Sequence, residues 1–305
     1  MNLWNLAVII IIFSQTATGI LGNFFLIFHY LVLYFREYTL KPTDLILMNI
    51  MAANVLIILS TGVPQTMAVW GFKQFLNDFG CKLLFYIQEC GRSVSIGTTC
   101  LLSVFQALTI CHRKSCWKDH KVKVEKYIIC LISLIWILNI FISFIYFSYI
   151  IFNRNSKNMS QTRDFGYCST VRGDEIGDSL YAALVVCPQV FLSVLMAWSS
   201  GAMIIILYRH KQRVQHIRSS HGSSRNSPEF RVTQNILILL SNFLAFYTVS
   251  SMVRGSIALL NSHNWWLVNI SNLTSLCFPS FGPFVLMNHS ILSRHCFVLI
   301  RNKNH

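Results

Sequence analysis

Seven long apolar segments run along this chain of 305 residues and limit what it can fold into. Each is long enough for the roughly 20 apolar residues that an α-helix needs to cross a bilayer. Unbroken apolar runs favour helices over the strands of a membrane barrel, whose side chains alternate in polarity. We therefore predict an all-α membrane protein, a seven-transmembrane helix bundle that forms a single domain over residues 1–305. The predicted spans are residues 6–35, 44–70, 81–111, 127–152, 178–208, 233–261 and 265–290.

The positions of the basic residues predict the orientation of these spans. Charged residues make up only 12% of the chain, about half the usual share in a soluble domain, so the net charge of +14 does not indicate a nucleic-acid partner. Of the 25 Lys and Arg residues, 17 lie in 36–43, 112–126, 209–232 and the tail 291–305, which share one side, and six lie on the other. Basic loops stay in the cytoplasm. This predicts a multi-pass plasma-membrane protein with an extracellular N-terminus.

The predicted outer loop 153–179 carries two candidate modification sites. Of the ten cysteines, Cys81 and Cys168 are the ones that fall clearly on the oxidising side. A disulfide between them would hold the loop over the mouth of the bundle; the alternative is two free thiols. Asn158, followed by Met159 and Ser160, is a candidate glycosylation site in the same loop.

The run QECGRSVSI, residues 88–96, places charges inside the third predicted span. An acidic or basic side chain costs about 2.5–3.5 kcal/mol at the centre of a spanning helix. Helical spacing puts five of the residues on one face. In one interpretation that face, together with Arg254 of span six, anchors a ligand; in the other, Glu89 pairs with an arginine and only fixes helix packing. The candidate ligand-binding residues are Gln88, Glu89, Arg92, Ser95, Ile96 and Arg254.

Sequence motifs of enzymes are absent from the chain. It has no HExxH, GxSxG, Walker A or GxGxxG motif, and its ten histidines show no metal-ligand spacing. We therefore expect no enzyme activity, no cofactor and no metal site.

Several motifs resemble those of G-protein-coupled receptors. GILGN (Gly19–Asn23), Trp136, Pro188 and Pro283 stand where rhodopsin-like receptors have similar residues. The Asp-Arg-Tyr motif, however, is replaced by Phe105-Gln106-Ala107, and span six has no proline. Over nearly the whole chain the sequence is similar to the vomeronasal type-1 pheromone receptors, at the strings KPTDLILMNIMAAN, GVPQTMA, GCKLLFY, GTTCLLSVFQALTI, YRHKQRVQHI, SPEFRVTQNILILLSNF and FPSFGPFVLM.

This resemblance implies a chemosensory receptor that binds a small extracellular chemosignal and activates a heterotrimeric G protein of the Gi/o type. Gln106 then takes the place of the Asp-Arg-Tyr arginine, and basic loops face the G protein, although attraction to anionic lipid also accounts for their charge. A bitter-taste receptor, or a small-molecule transporter or channel, is the alternative. The candidate G-protein-facing residues are Gln106, Arg113, Lys114, Arg209, Lys211 and Arg213.

Overall fold

A computed structural model describes the chain over residues 3–37, 41–72, 75–111, 121–152, 162–164, 169–171, 179–180, 182–218, 228–260 and 265–287. Seven helical spans make up nearly all of this part, which confirms the predicted fold class. They are helix 1 (Leu3–Glu37), helix 2 (Pro42–Ile57, continued by Ile58–Gly62 and Val63–Val69), helix 3 (Asp78–Cys111), helix 4 (Lys121–Phe152), helix 5 (Ala182–Val186 and Cys187–Arg218), helix 6 (Pro228–Leu260) and helix 7 (Trp265–Met287).

Length and composition allow five of these helices to cross a membrane: helices 1, 2, 4, 5 and 7. Helix 6 carries a shorter apolar stretch, Leu237–Val253. Helix 3 is long but contains the polar run 88–96, and it has the most buried position in the bundle. Every residue from 88 to 100 is buried, as expected for a helix with neighbours on all sides.

Helix 4 lies at the edge of the bundle. Most of its large side chains are exposed, including Tyr127, Ile137 and Phe141, and in a bilayer such a surface contacts lipid. The main core includes buried residues from all seven helices, and Met51, Ile96 and Met196 are fully buried in it.

The helices extend beyond the predicted spans. Helix 5 continues to Arg218 and helix 6 begins at Pro228, so residues 209–218 and 228–232 of the predicted loop 209–232 are helical. Lys, Arg and Gln are good helix formers, so the polar segment after span five prolongs the helix outside the apolar region. Pro228 suits the first helical position, because its missing N–H would have no partner there.

Two short strands, Thr162–Asp164 and Ser169–Val171, pair antiparallel in the predicted outer loop, and the second contacts helix 3. Near the start of helix 3, Cys81 is buried and disulfide-bonded. Its predicted partner Cys168 lies outside the described residues, as does Asn158, so the pairing and the glycosylation stay predictions.

A wide π turn, Ile58–Gly62, interrupts helix 2. Pro64 follows it and has no N–H to donate to the carbonyl of Ser60, four residues earlier, so the regular hydrogen-bond ladder cannot continue there. After the turn, Gln65 faces helix 7. Its Nε2 donates to Asn269 Oδ1 at 3.0 Å, and its Oε1 accepts from Asn272 Nδ2 at 3.0 Å.

Helices 1 and 7 are joined where proline breaks the ladder of helix 7. Pro283 cannot donate to the carbonyl of Pro279, and a buried carbonyl needs a donor. Asn23 Nδ2 supplies it at 2.8 Å and also donates to the carbonyl of Gly19 at 2.7 Å. The helices are so close here that a Cβ at Gly22 would lie 2.9 Å from Pro283 Cβ.

This close approach predicts that Gly22→Ala destabilises the protein. The proline ring is rigid, so the helices must separate, at a cost of about 1–3 kcal/mol that exceeds the gain in helix propensity. Thermal unfolding of the purified protein should show a lower midpoint. The matched control is Gly201→Ala, where a new Cβ has nothing within 4 Å and the midpoint should not fall. Equal midpoints for the two variants would contradict the proposed packing.

Candidate functional site

A small cavity of about 40 Å³ lies between helices 2, 3, 6 and 7. This volume accommodates a few water molecules. Polar groups occupy part of its wall and aromatic rings much of the rest, as in sites that orient a mostly apolar ligand. The lining residues are Ile57, Gln88, Arg92, Ser95, Ile96, Phe243, Phe246, Tyr247, Ser250, Thr274, Ser275, Phe278 and Pro279.

Arg92 is the charged residue of this wall, and its guanidinium is directed toward helix 6. Nη2 donates to Ser251 Oγ at 3.0 Å and Nη1 to Ser250 Oγ at 3.4 Å, while Cζ lies 4.8 Å from the ring centroid of Tyr247. A desolvated cation–π contact of this kind contributes up to about 2 kcal/mol. The described partners of this buried cation are therefore neutral hydroxyls and an aromatic face.

Gln189 of helix 5 connects Glu89 and Ser93 of helix 3 to helix 6. Its Nε2 donates to Glu89 Oε1 and to Ser93 Oγ, each at 2.9 Å, and its Oε1 accepts a short hydrogen bond from the Tyr247 hydroxyl. Gln189 is buried, as is Glu89. One amide thus satisfies polar groups on two neighbouring helices, as buried polar groups require.

Two further contacts extend from the cavity wall. Ser250 and Ser275 share a hydrogen bond of 3.0 Å between helices 6 and 7. In the other direction, Ser95 Oγ donates to Asn54 Oδ1 at 3.4 Å, and Asn54 Nδ2 donates to Asn23 Oδ1 at 3.3 Å. Hydrogen bonds therefore lead from the cavity to the contact between helices 1 and 7.

The structure places four of the six candidate ligand-binding residues together on the cavity wall: Gln88, Arg92, Ser95 and Ile96. Glu89 is not part of the wall. It lies on the helix-5 side of helix 3, and no ion pair joins it to Arg92 in the described part of the chain. Arg254 belongs to helix 6, but its side chain lies outside the described residues.

Sequence reasoning missed Gln189 and Ser250. Gln189 follows Pro188 in an otherwise apolar stretch, and a lone amide within a predicted span is a signal that could have drawn attention to it. Ser250 has no comparable signal, because a serine can bond to its own helix and needs no partner elsewhere.

At the opposite end of the bundle, Gln106 is buried in helix 3 and Arg209 of helix 5 is exposed. The side chains of Lys211 and Arg213, and all of Arg113 and Lys114, lie outside the described residues.

Comparison with known proteins identifies the family. The model of the vomeronasal organ pheromone receptor family matches residues 6–297. The chain belongs to the vomeronasal type-1 receptor family. It is therefore a chemosensory receptor of the G-protein-coupled class, in a receptor family and not an enzyme family, and a multi-pass protein of the plasma membrane.

Individual relatives agree with this assignment. The chain is 46% identical to vomeronasal type-1 receptor 4 of Homo sapiens over 287 residues, which cover 94% of this chain and 95% of that one. It is 43% identical to vomeronasal type-1 receptor 2 of Homo sapiens over 288 residues, or 94% of this chain and 73% of that one. The crystal structure of squid rhodopsin has the same fold, with a TM-score of 0.71 at 13% identity, covering 94% of this chain and 78% of that one.

The bonds of Gln189 predict that Gln189→Leu destabilises this receptor. The variant would remove one hydrogen-bond partner from each of Glu89, Ser93 and Tyr247, and a hydrogen bond lost from a buried polar group costs about 1–3 kcal/mol. Thermal unfolding of the purified receptor should show a clear fall in midpoint. Ser193→Ala, one turn further on, is the control, because it removes only a bond within helix 5. A Gln189→Leu receptor as stable as the control would show that the amide bridge is unimportant.

Proposed function

We propose that this receptor binds a small extracellular chemosignal in the cavity at Arg92 and activates a G protein of the Gi/o type. The observation that carries the proposal is the Arg92 guanidinium on the cavity wall, held by neutral groups. An arginine that forms no ion pair with a described carboxylate leaves its charge available to a ligand. A carbonyl or carboxylate oxygen can accept from its N–H groups, and such charge-assisted hydrogen bonds are the strong ones.

The remaining wall selects the rest of the ligand. Phe243, Phe246 and Phe278 contribute rings, and Ile57 and Ile96 contribute aliphatic surface. We infer a ligand with one oxygen-bearing group and a compact apolar body. Burial of that body contributes about 25 cal/mol for each Å² of apolar surface removed from water.

The volume of the cavity couples binding to a change in shape. At about 40 Å³ it has room for a few waters and no room for a molecule of several carbon atoms. A ligand must therefore displace parts of the wall, and Tyr247, Ser250 and Ser251 on helix 6 are the groups that hold Arg92. An oxygen atom that replaces these partners loosens helix 6 from helix 3. Binding then favours the arrangement in which helix 6 has moved, and the population of receptors shifts toward it.

We assign the opposite end of the bundle to the G protein. The proposal places the N-terminus, the Cys81–Cys168 disulfide and a glycan at Asn158 outside the cell. Gln106 and the basic residues Arg113, Lys114, Arg209, Lys211 and Arg213 then face the cytoplasm. The exposed side chain of Arg209 and the helical extension to Arg218 support a basic surface at this end of helix 5.

Removal of the guanidinium should weaken ligand responses. Arg92→Met keeps the approximate size but loses the donors, and a lost hydrogen bond to a charged group costs about 1.5–3 kcal/mol, or roughly tenfold to a hundredfold in potency. The measurement is G-protein activation in cells, normalised to surface expression, with a panel of small aldehydes, ketones, esters and carboxylic acids. Each compound is paired with the hydrocarbon that lacks its oxygen, and the hydrocarbons should be weaker.

Two variants separate a ligand contact from a structural effect. Glu89→Gln should change surface level or stability more than potency, because Glu89 lies behind the cavity wall. Thr98→Ala, which removes a bond within helix 3 and no part of the wall, should leave both unchanged. If Arg92→Met keeps full potency at equal surface level, the cavity at Arg92 is not the binding site.

The coupling proposal predicts a loss of signalling without a loss of binding. Simultaneous replacement of Arg209, Lys211 and Arg213 by alanine should reduce the maximal activation of Gi/o proteins while the agonist concentration for half-response changes little. Arg36→Ala, an exposed basic residue at the end of helix 1, is the control for general loss of charge. Comparison of Gi/o, Gs and Gq reporters in the same cells measures selectivity. A response carried by Gs or Gq would contradict the assignment.

A further inference from the structure

The wall of the Arg92 cavity reaches the lipid-facing surface between helices 6 and 7. On helix 7, Ile270, Phe281 and Phe284 are 36%, 51% and 46% exposed and form a stripe at helical spacing. Thr274 lies on this stripe, one turn after Ile270, and also lines the cavity. Its Oγ donates to the carbonyl of Ile270 at 2.9 Å in an exposed position. Thr274 therefore has one side toward the cavity and the other toward the membrane.

Phe246 of helix 6 faces this stripe across the contact between helices 6 and 7, which we call the seam. It lines the cavity, and its ring stacks on that of Phe281 with centroids 6.3 Å apart and planes 15° from parallel. Since Phe281 is half exposed, the aromatic pair separates the cavity from lipid at this level. Such a pair contributes only about 0.5–1.5 kcal/mol beyond its buried area.

The seam also differs from the opposite side of helix 6 in the kind of bond that closes it. On the helix-7 side, the hydrogen bond between Ser250 and Ser275 joins two neutral hydroxyls. Toward helices 3 and 5, helix 6 is held through Arg92 and Gln189. Separation on the helix-7 side would break this hydroxyl pair and the ring contacts of Phe243 with Phe278 and of Phe246 with Phe281, none of which involves a charge. Separation on the other side would remove the partners of Arg92 and a partner of the amide that bonds to Glu89.

We propose that lipophilic ligands enter the Arg92 cavity from the bilayer, through the seam between helices 6 and 7, and that the Phe246 side chain moves aside to admit them. This inference rests on the proposed function, because it assigns a route to the ligand of that cavity. It adds a requirement on the ligand: the apolar body must partition into the membrane, while the polar group is carried in to reach Arg92. The bilayer then concentrates the ligand beside Phe246 before the ligand binds.

The route can be tested without a known agonist by chemical modification of the cavity wall. A cysteine at Ser275 supplies the target thiol, in a receptor whose own cysteines other than Cys81 and Cys168 are replaced by serine or alanine, because free thiols such as Cys130 and Cys187 are exposed. Its rate of reaction is measured in membranes with membrane-soluble benzyl methanethiosulfonate and with a charged methanethiosulfonate that stays in water. We expect Phe246→Ala to accelerate the reaction with the benzyl reagent by about tenfold, and Thr274→Trp to slow it by a similar factor. The charged reagent should show neither change.

Phe284→Ala is the matched control, because it removes a phenyl ring from the same lipid-facing stripe but not from the cavity wall. If Ser275→Cys is poorly expressed, Ser250→Cys offers a second thiol on the same wall. The lateral route would be overturned if neither Phe246→Ala nor Thr274→Trp changed the reaction rate with the benzyl reagent. It would also be overturned if the rates with the benzyl and the charged reagent changed equally. Because the readout is chemical modification, that result would leave the Arg92 proposal standing. A failed agonist assay would instead leave the cavity without an assigned ligand, while the measured access of the two reagents would be unchanged.

Discussion

The arrangement of this bundle depends on which groups meet the donors of a buried guanidinium. Arg92 is 8% exposed in a helix surrounded by other helices, and its donors have to be met by protein groups, by water in the cavity or by a ligand. The described groups that meet them, Ser250, Ser251 and Tyr247, all belong to helix 6. Gln189 does the same for Glu89 from helix 5. The relative positions of helices 3, 5 and 6 therefore follow from the need to satisfy two charged side chains of helix 3.

The choice of partners also suits a receptor better than a rigid scaffold. Breaking a buried ion pair by removal of one partner costs about 3–5 kcal/mol, which would hold helix 6 firmly in one position. Hydroxyl groups and a ring bind the cation less strongly, so an incoming oxygen atom can compete with them. On the far side of the cavity, Ser95 and Asn54 connect the same wall to the proline-broken part of helix 7 through Asn23. A change in the position of Arg92 can therefore alter the contacts of several helices in the bundle.

Much of this organisation follows from the sequence. The length of the apolar runs predicts seven spans, and helical periodicity predicts that Gln88, Arg92, Ser95 and Ile96 share a face. The partners of that face do not follow from the sequence, because the side chain that contacts Arg92 from another helix depends on how the helices pack. Gln189 is the clearest example: one hundred residues separate it from Glu89 along the chain. The helical extension after residue 208 was also missed, since membrane-span reasoning places an end where apolar residues stop and not where helix formers stop.

The π turn of helix 2 has a consequence for how sequences of this kind can vary in length. The turn accommodates one more residue than a regular α-helical turn, so the residues beyond it keep the directions they would have if that residue were absent. Deletion of one residue in the regular part of helix 2, Pro42–Ile57, would turn Gln65 by about 100° relative to the start of the helix, and both amides of helix 7 that bond to Gln65 would lose it. Deletion of one residue within Ile58–Gly62 would instead narrow the wide turn and leave Gln65 close to its present direction. Alignments of helix 2 should therefore tolerate a one-residue gap at this turn more readily than in the rest of the helix.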